Sequence, residues 1–375
     1  MAKRRVKGEG SVFYRKDRKQ WIAQIKLEGG KYKTRSAKTQ REASEKLKKM
    51  QRELEQGTLA TGPRQTVGQF LEHWLERVHK PTIRESSYFR YRTILNQHLL
   101  PGLGHIQLQK LTPEHIEALY GHKQDKGLSA RTIRTIHVVL HKALETAVRR
   151  KFIARNVCDD VSLPRLTRHE IQPLTGEQAR MLLEAAKGHR LECLLMVALA
   201  TGMRRGELLA LRWQDVDFEH SSLYVRHSVN LFEHRGYIET EPKTASSRRR
   251  IVLPHFVIDA LKQHRAHQLE ARLRAGATWE DHDLVFCNTY GRYTDPASLR
   301  RLFKGLLKKA GLPDMRFHDL RHSAATILLS MGVPAKVIQE LLGHSQISMT
   351  LGTYSHVLPG MQQDAMDKWD DWFGW

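Results

Sequence analysis

Residues 201–211, with the sequence TGMRRGELLAL, join two helical patterns through a glycine turn. The apolar run 193–200 precedes the turn, and Arg204 stands where the next helix is predicted to begin. An arginine at a helix N-terminus can hold an anion with its guanidinium, together with free backbone N–H groups. The alternative is a surface arginine paired with Glu207 one turn later, and this segment alone favours that alternative.

Two segments further along the chain place basic and hydroxyl side chains at helical spacing. In residues 318–323, HDLRHS, His318 and Arg321 are three apart and therefore share a helix face. Such a pair could hold a phosphate and move a proton. Residues 341–345, LLGHS, contain His344, and Tyr354 follows ten residues later. Each of these side chains taken singly is more often a turn residue or part of an ordinary helix face.

The secondary-structure patterns around these segments divide the chain into four parts. Short β patterns followed by a charged helix predict a small three-stranded sheet with a helix in residues 1–60. Helical patterns fill residues 61–165, where one helix is expected to stop at Leu99, before Pro101. Helices and strands alternate in residues 166–358, and residues 359–375 form a tail. We therefore expect a multidomain protein with a sheet-plus-helix domain, an all-α domain and a mixed α+β domain.

The order and spacing of the segments resemble the active-site motifs of the tyrosine recombinases, the integrases of phages and mobile elements. The resemblance covers about residues 66–358 and includes Lys243 in the sequence EPKT at 241–244. Residues 1–60 resemble an arm-site DNA-binding domain, and residues 61–165 resemble the SAM-like core-binding domain. The resemblance implies a site-specific DNA recombinase that cuts and rejoins DNA through a 3′-phosphotyrosyl intermediate. The catalytic residues that it implies are Arg204, Lys243, His318, Arg321, His344 and Tyr354.

The resemblance also implies a role for each of these side chains. Arg204 and Arg321 would hold the nonbridging phosphate oxygens and stabilise the charge of the transition state. Tyr354 would be the nucleophile, and because a phenol has a pKa of about 10, it must lose its proton during attack. His318 would accept or relay that proton, and Lys243 would protonate the departing 5′ oxygen.

Two further residues would support this chemistry. His344 would donate a hydrogen bond to the phosphate, and Glu207 would orient neighbouring basic side chains. The sequence shows no metal-binding carboxylate cluster and no phosphate-binding glycine loop. A phosphotyrosyl bond conserves the energy of the bond that is broken, so we expect no metal, nucleotide or redox cofactor.

The charge of the chain points to a polyanionic partner. Sixty-two Lys and Arg outnumber forty Asp and Glu, which gives a net charge of +22, and a surplus of this size favours double-stranded DNA. Half of the surplus lies in residues 1–60. The candidate DNA contacts are Arg15, Lys19, Lys33 and Arg35 in the first domain, Arg84, Arg92, Arg131 and Arg134 in the second, and Arg248 and Arg249 beside Lys243. For each of them, the competing interpretation is a solvated basic face.

The tail, residues 359–375, reverses the charge and is rich in tryptophan. As a helix it would place Met366, Trp369 and Phe373 on one face. Two arrangements fit this pattern: the tail folds back on its own domain, or it docks on the next subunit, as in similar recombinases. The second arrangement would build a homotetramer on DNA that carries core and arm attachment sites.

Two other functions fit parts of the sequence, namely a DNA-binding regulator without chemistry and a topoisomerase of the related type IB-like group. The complete set of motifs argues against the regulator, and the N-terminal domain and tail favour recombination over relaxation. An accessory factor for excision would suit an integrase. The chain has no apolar run of about 20 residues and no secretory signal, so we expect no membrane partner and a location in the cytoplasm of a bacterial host, at the nucleoid.

Overall fold

The computed structural model describes residues 10–26, 32–55, 64–166, 172–232, 236–240 and 248–343. The chain forms two compact units, residues 1–169 and 170–375, and each is described by itself. The finer division into four parts stays a prediction.

The first unit begins with an antiparallel sheet in the order β1-β2-β3, formed by β1 (Ser11–Arg15), β2 (Gln20–Lys26) and β3 (Tyr32–Ala37). Helix α1 (Gln40–Glu55) begins where Thr39 Oγ1 accepts a hydrogen bond from the Glu42 N–H group at 3.2 Å. The helix covers one sheet face, and the buried residues between them include Ala23 and Ala43. Small side chains at these positions allow the helix to approach the sheet closely.

The rest of the first unit is helical. Its helices are α2 (Val67–His73), α3 (Glu85–Ile94), α4 (Leu100–Leu103), α5 (Pro113–Asp125) and α6 (Ala130–Arg149). Thr66 and Gln69 form a capping box at the start of α2, and the indole N–H of Trp74 donates to Thr146 Oγ1 at 3.2 Å inside the core. A single hydrophobic core joins all five helices.

The helix predicted to stop at Leu99 continues to Leu103, so that prediction is wrong. A π-helical turn, Leu95–Leu99, joins α3 to α4 and shifts the hydrogen-bond pattern by one residue. Pro101 consequently lies in the first turn of α4, where a missing N–H group leaves no hydrogen bond unmade.

The second unit mixes helices with two small sheets. One sheet has the order β4-β5-β8 and the other is the hairpin β6-β7. The strands are β4 (Val216–Asp217), β5 (Ser222–Val225), β6 (Ser228–Phe232), β7 (Gly236–Thr240) and β8 (Arg249–Val252). The helices are α7 (Gly176–Ala185), α8 (Glu192–Thr201), α9 (Arg205–Leu209), α10 (His255–Ala275), α11 (Pro296–Lys309), α12 (Asp319–Ser330) and α13 (Ala335–Leu342).

Helix α8 lies at the centre of the second unit, in contact with α7, α10 and α12. Its residues Leu194, Leu195 and Val197 are buried, which explains why its sequence is apolar on all sides. The elements of both units confirm the predicted fold class of sheet-plus-helix, all-α and mixed α+β parts. Within the described ranges, no helix is both long enough and apolar enough to cross a bilayer.

Candidate active site

The glycine turn that follows α8 lies against the end of α13. Gly202 has φ +60°, the left-handed region that favours glycine. A Cβ atom at this position would lie well inside van der Waals contact of Leu342 Cδ2, near the end of α13. The turn therefore sets two chain segments in direct contact, and Arg204 follows it at the N-cap of α9.

Glu207 fixes the position of Arg204. Its Oε1 accepts from Arg204 Nη1 at 2.7 Å, and its Oε2 accepts from the Arg204 backbone N–H group at 3.0 Å. The Arg204 side chain is 37% exposed, whereas that of Glu207 is 3% exposed. Burial alone would raise the pKa of Glu207, but Arg249 and Arg204 outweigh it and lower the pKa. Glu207 is therefore a carboxylate that holds one face of Arg204 and leaves the other to solvent.

Arg321 projects from α12 into the same place and is almost entirely buried. Its Nη1 donates to the Gly202 carbonyl at 2.8 Å, and its Nη2 donates to the Leu342 carbonyl at 2.7 Å. Two carbonyl partners fix the plane of this guanidinium, because its donors have a rigid fork geometry.

His318 is the N-cap residue of α12 and is exposed to solvent on one side. Despite that exposure its pKa is lowered to about 4, first because neighbouring protein atoms remove part of its hydration, and then because His322, Arg321 and Arg204 disfavour a further positive charge. The imidazole is therefore neutral near pH 7 and able to accept a proton.

Polar contacts that the sequence did not reveal hold α12 in place. Ser323 is fully buried; its hydroxyl donates to the Asp319 carbonyl at 3.0 Å and accepts from the Leu174 backbone N–H group at 2.9 Å. The Asp319 carboxylate, in turn, accepts from Arg316 Nη2 at 2.8 Å. The HDLRHS segment gives no signal for this role of Ser323, because Leu174, its partner, is distant in the sequence.

The structure corrects the expectation for Arg249, which we predicted to be a DNA contact. The Arg249 side chain is only 7% exposed. Its Nε donates to the Leu341 carbonyl at 2.6 Å, and its Nη2 donates to Glu207 Oε2 at 3.0 Å. Residues alternate between faces along β8, so Arg249 faces inward beside Ile251 while Arg250 is exposed. Arg248 is exposed, and its DNA contact stays a prediction.

Three of the six expected catalytic residues lie in described segments, and the structure brings all three together: Arg204, His318 and Arg321. The remaining three, Lys243, His344 and Tyr354, lie outside the described residues, as do Met366, Trp369 and Phe373 of the tail. The described chain stops close to two of them in sequence, since β7 ends at Thr240 and α13 at Leu342.

The N-terminal sheet places its basic residues differently from our expectation. Lys33 and Arg35 lie on the α1-covered face of β3, and Arg35 Nη2 pairs with Glu53 Oε2 at 2.8 Å. Both are half-buried there, and their contact with DNA stays a prediction. Arg15 and Lys19 are exposed, and Arg15 pairs with Asp17 at 3.0 Å. The open face carries Arg15 and Lys26 together with Phe13, Ile22, Gln24, Thr34 and Ser36.

The four arginines predicted in the helical part differ in exposure. Arg84, Arg92 and Arg131 are exposed, whereas Arg134 is half-buried and donates to the Pro164 carbonyl at 3.0 Å. Arg92 Nη1 contacts the Tyr88 hydroxyl at 2.6 Å. DNA contact by any of the four stays a prediction.

Family models match two parts of the chain. Residues 172–360 match the phage integrase family, and residues 66–123 match the N-terminal SAM-like domain of phage integrases. The first match includes every residue of the site described above, and it extends over the predicted Lys243, His344 and Tyr354.

Similar proteins agree with these matches. An integrase of Streptomyces ambofaciens is 33% identical over 98% of this chain and 97% of its own length. A XerC-like tyrosine recombinase of Caldanaerobacter subterraneus subsp. tengcongensis is 31% identical, with 90% of each chain covered.

Two solved structures show the same fold. The integrase of transposon Tn1549, in complex with transposon right end DNA, superposes with a TM-score of 0.67 at 25% identity over 81% of this chain and 99% of its own. A lambda integrase tetramer bound to a Holliday junction has a TM-score of 0.57 at 18% identity, over 90% and 96% of the two chains. Site geometry, family matches and relatives together establish that the chain belongs to the phage integrase family and is a tyrosine-type site-specific recombinase.

Proposed function

We propose that this recombinase cleaves each DNA strand by attack of the Tyr354 hydroxyl on the scissile phosphate. The O–P bond to the tyrosine forms, the bond from phosphorus to the 5′ oxygen breaks, and the product is a 3′-phosphotyrosyl link with a free 5′ hydroxyl. A 5′ hydroxyl of another strand then reverses the step and completes strand exchange. One observation carries the proposal: two arginines from separate helices converge beside a neutral histidine at the end of α13.

The two arginines form a phosphate clamp. Arg321 is fixed by the Gly202 and Leu342 carbonyls, and Arg204 is fixed by Glu207. The two guanidinium groups would bind the nonbridging oxygens, whose negative charge increases in the pentacoordinate transition state. Because the donors are already oriented, little reorganisation accompanies the reaction.

Two proton transfers accompany cleavage. His318, neutral at pH 7, would take the phenolic proton from Tyr354. Lys243 would give a proton to the departing 5′ oxygen, and His344 would donate a hydrogen bond to the phosphate. The bonds and charges balance with no metal and no nucleotide.

We assign DNA contacts to the first unit. The open face of the N-terminal sheet, with Gln24, Thr34 and Ser36 among its polar residues, would face arm sites, and the helical part would grip core sites through Arg84, Arg92 and Arg131. The related Tn1549 and lambda integrases were solved with DNA, and one lambda complex is a tetramer. These structures support our proposal of a homotetramer on DNA. We further propose that the tails of this chain join the subunits by docking in trans.

Two further parts of the proposal concern the cell rather than the site. Excision would involve an accessory factor that redirects the assembled complex on the arm sites. The protein would act in the cytoplasm of a bacterial host, on DNA in the nucleoid.

Tyr354→Phe tests the proposal directly. On a DNA substrate nicked so that the cleaved end diffuses away, the wild-type protein should accumulate a covalent adduct visible on a denaturing gel. The variant should bind half-site DNA as the wild type does but form no adduct. Tyr290→Phe is the matched control, because Tyr290 is an exposed tyrosine of the same unit, and it should leave the adduct intact. An undiminished adduct with Tyr354→Phe would exclude Tyr354 as the nucleophile.

A further inference from the structure

Three successive carbonyl groups at the end of α13 each accept a hydrogen bond from an arginine of a different element. Leu341 accepts from Arg249 Nε of β8 at 2.6 Å, and Leu342 from Arg321 Nη2 of α12 at 2.7 Å. Gly343 accepts from Arg204 Nη2 at the start of α9, at 3.4 Å. The end of one helix is thus held by three arginines.

This arrangement suits the chemistry of a helix C-terminus. The last four carbonyls of a helix have no partner within the helix, and the helix dipole places partial negative charge there, which favours cations. Gly343, with φ +67°, ends α13 in the left-handed conformation that is common at this position. The carbonyls of residues 341–343 therefore act as a rigid frame of acceptors for the arginines.

Two of the three arginines belong to the proposed phosphate clamp, and the third, Arg249, bonds to the carboxylate that orients Arg204. The Arg249 side chain is 7% exposed, and Glu207, to which it bonds, is 3% exposed. Arg249 is therefore joined to Arg204 through a buried carboxylate. One of its nitrogens holds the α13 frame, and another holds the carboxylate that orients Arg204.

We propose that Arg249 is a positioning residue that couples the end of α13 to Glu207 and so sets the geometry of the Arg204–Arg321 phosphate clamp. It links three separate parts of the site: β8, which follows the segment containing Lys243; α9, which begins at Arg204; and the end of α13, which leads directly into His344. The inference rests on the proposed role of Arg204 and Arg321 as the clamp.

A change of substrate charge tests this role. When one nonbridging oxygen of the scissile phosphate is replaced by a methyl group, the linkage is neutral and has less negative charge for a clamp to stabilise. A variant that has lost clamp geometry should therefore be less impaired on the methylphosphonate than on the phosphate. A variant that is merely less folded should be equally impaired on both substrates, because a smaller folded fraction lowers both rates by the same factor.

The test variant is Arg249→Lys, which keeps the charge but cannot span Glu207 and Leu341 with one ammonium group. We expect adduct formation on the phosphate substrate to fall by roughly 100-fold, the size of effect that a small misplacement of reacting groups produces. On the methylphosphonate the deficit relative to wild type should shrink by about tenfold or more, because less charge needs stabilising. Half-site DNA binding should stay within about twofold of wild type, since Arg249 is not at the surface.

Two further proteins complete the experiment. Arg250→Lys is the matched control, because Arg250 is the exposed neighbour on β8 and its Nε contacts Ser222 Oγ at 2.9 Å; it should match the wild type on both substrates. Arg204→Ala tests the clamp itself and should also be relieved on the neutral linkage.

The outcomes separate the two levels of the proposal. Relief of both Arg204→Ala and Arg249→Lys on the methylphosphonate supports the positioning role. Relief of Arg204→Ala alone, or wild-type activity of Arg249→Lys, overturns the inference and leaves the clamp standing. Absence of relief in Arg204→Ala overturns the clamp and, with it, the inference.

Discussion

Replacing Gly202 by alanine should destabilise the second unit and disable Arg321 at the same time. Gly202 lies at φ +60°, a conformation in which a side chain is strained. An added Cβ would also press on Leu342 Cδ2, which is fully buried. Because the Gly202 carbonyl accepts a hydrogen bond from Arg321 Nη1 at 2.8 Å, any shift that relieves the clash moves an atom that holds the clamp.

The magnitude follows from two separate costs. The left-handed conformation costs an alanine about 1–2 kcal/mol, and overpacking a dense core costs about 1–3 kcal/mol. Together they predict a loss of about 2–5 kcal/mol in the free energy of unfolding. For a unit of roughly 200 residues this corresponds to a fall in Tm of about 5–15 °C.

Gly188→Ala provides the matched control. Gly188 has φ +69°, but no atom lies within 4 Å of the position that its Cβ would take. Scanning calorimetry of the full-length variants should therefore show a larger fall in Tm for Gly202→Ala, and the difference measures the contact with Leu342. Adduct formation should fall only in Gly202→Ala. If the two variants have the same Tm and the same activity, the close contact between Gly202 and Leu342 is wrong.

Four further results are expected. Lys243→Ala should cleave normal DNA slowly but recover on DNA with sulfur at the bridging 5′ position, whose leaving group needs no proton; equal defects on both substrates would remove Lys243 as the acid. Protein lacking residues 1–60 should still cleave core-site DNA but lose arm-site binding and part of the salt dependence of binding, and full integration by the shortened protein would refute the arm-domain assignment. In the DNA-free protein, NMR titration should show His318 neutral until the pH falls towards about 4, and the His318→Gln variant assigns the resonance. Because folding lowers this pKa, the contribution of neutral His318 to the free energy of unfolding is complete above about pH 6.5 and is lost as the pH falls from there. Deletion of residues 361–375 should spare half-site binding and weaken assembly of the synaptic complex, as measured by gel shift with two DNA duplexes; normal synapsis would exclude docking in trans.

The sequence predicted the parts of the site that depend on local order and spacing. The turn at Gly202 followed by Arg204, and the spacing of His318 and Arg321 on one helix, both appear in the structure as expected. These features are local, because a glycine turn and a three-residue helical spacing fix their geometry within a few residues.

The sequence did not predict which basic side chains are exposed, because exposure depends on which face of a strand or helix is covered. In the run Arg248, Arg249 and Arg250, only the pairing of β8 with β5 decides which arginine faces inward. Likewise, only the pairing of β3 with β2 decides that Lys33 and Arg35 lie on the face of the sheet that α1 covers. The predicted helix end at Leu99 was wrong for a different reason. The π-helical turn that precedes Pro101 and accommodates it has no recognisable sequence signal.

The most direct test of the proposed mechanism is to identify the amino acid that carries the DNA. The wild-type protein can be trapped on the nicked half-site substrate, digested with protease and nuclease, and analysed by mass spectrometry. The mechanism predicts a single modified peptide in which Tyr354 is bonded to a 3′-phosphate, while the peptides containing Tyr290 and Tyr293 stay unmodified. Attachment to either of those tyrosines, to a serine, or through a 5′-phosphate would contradict it.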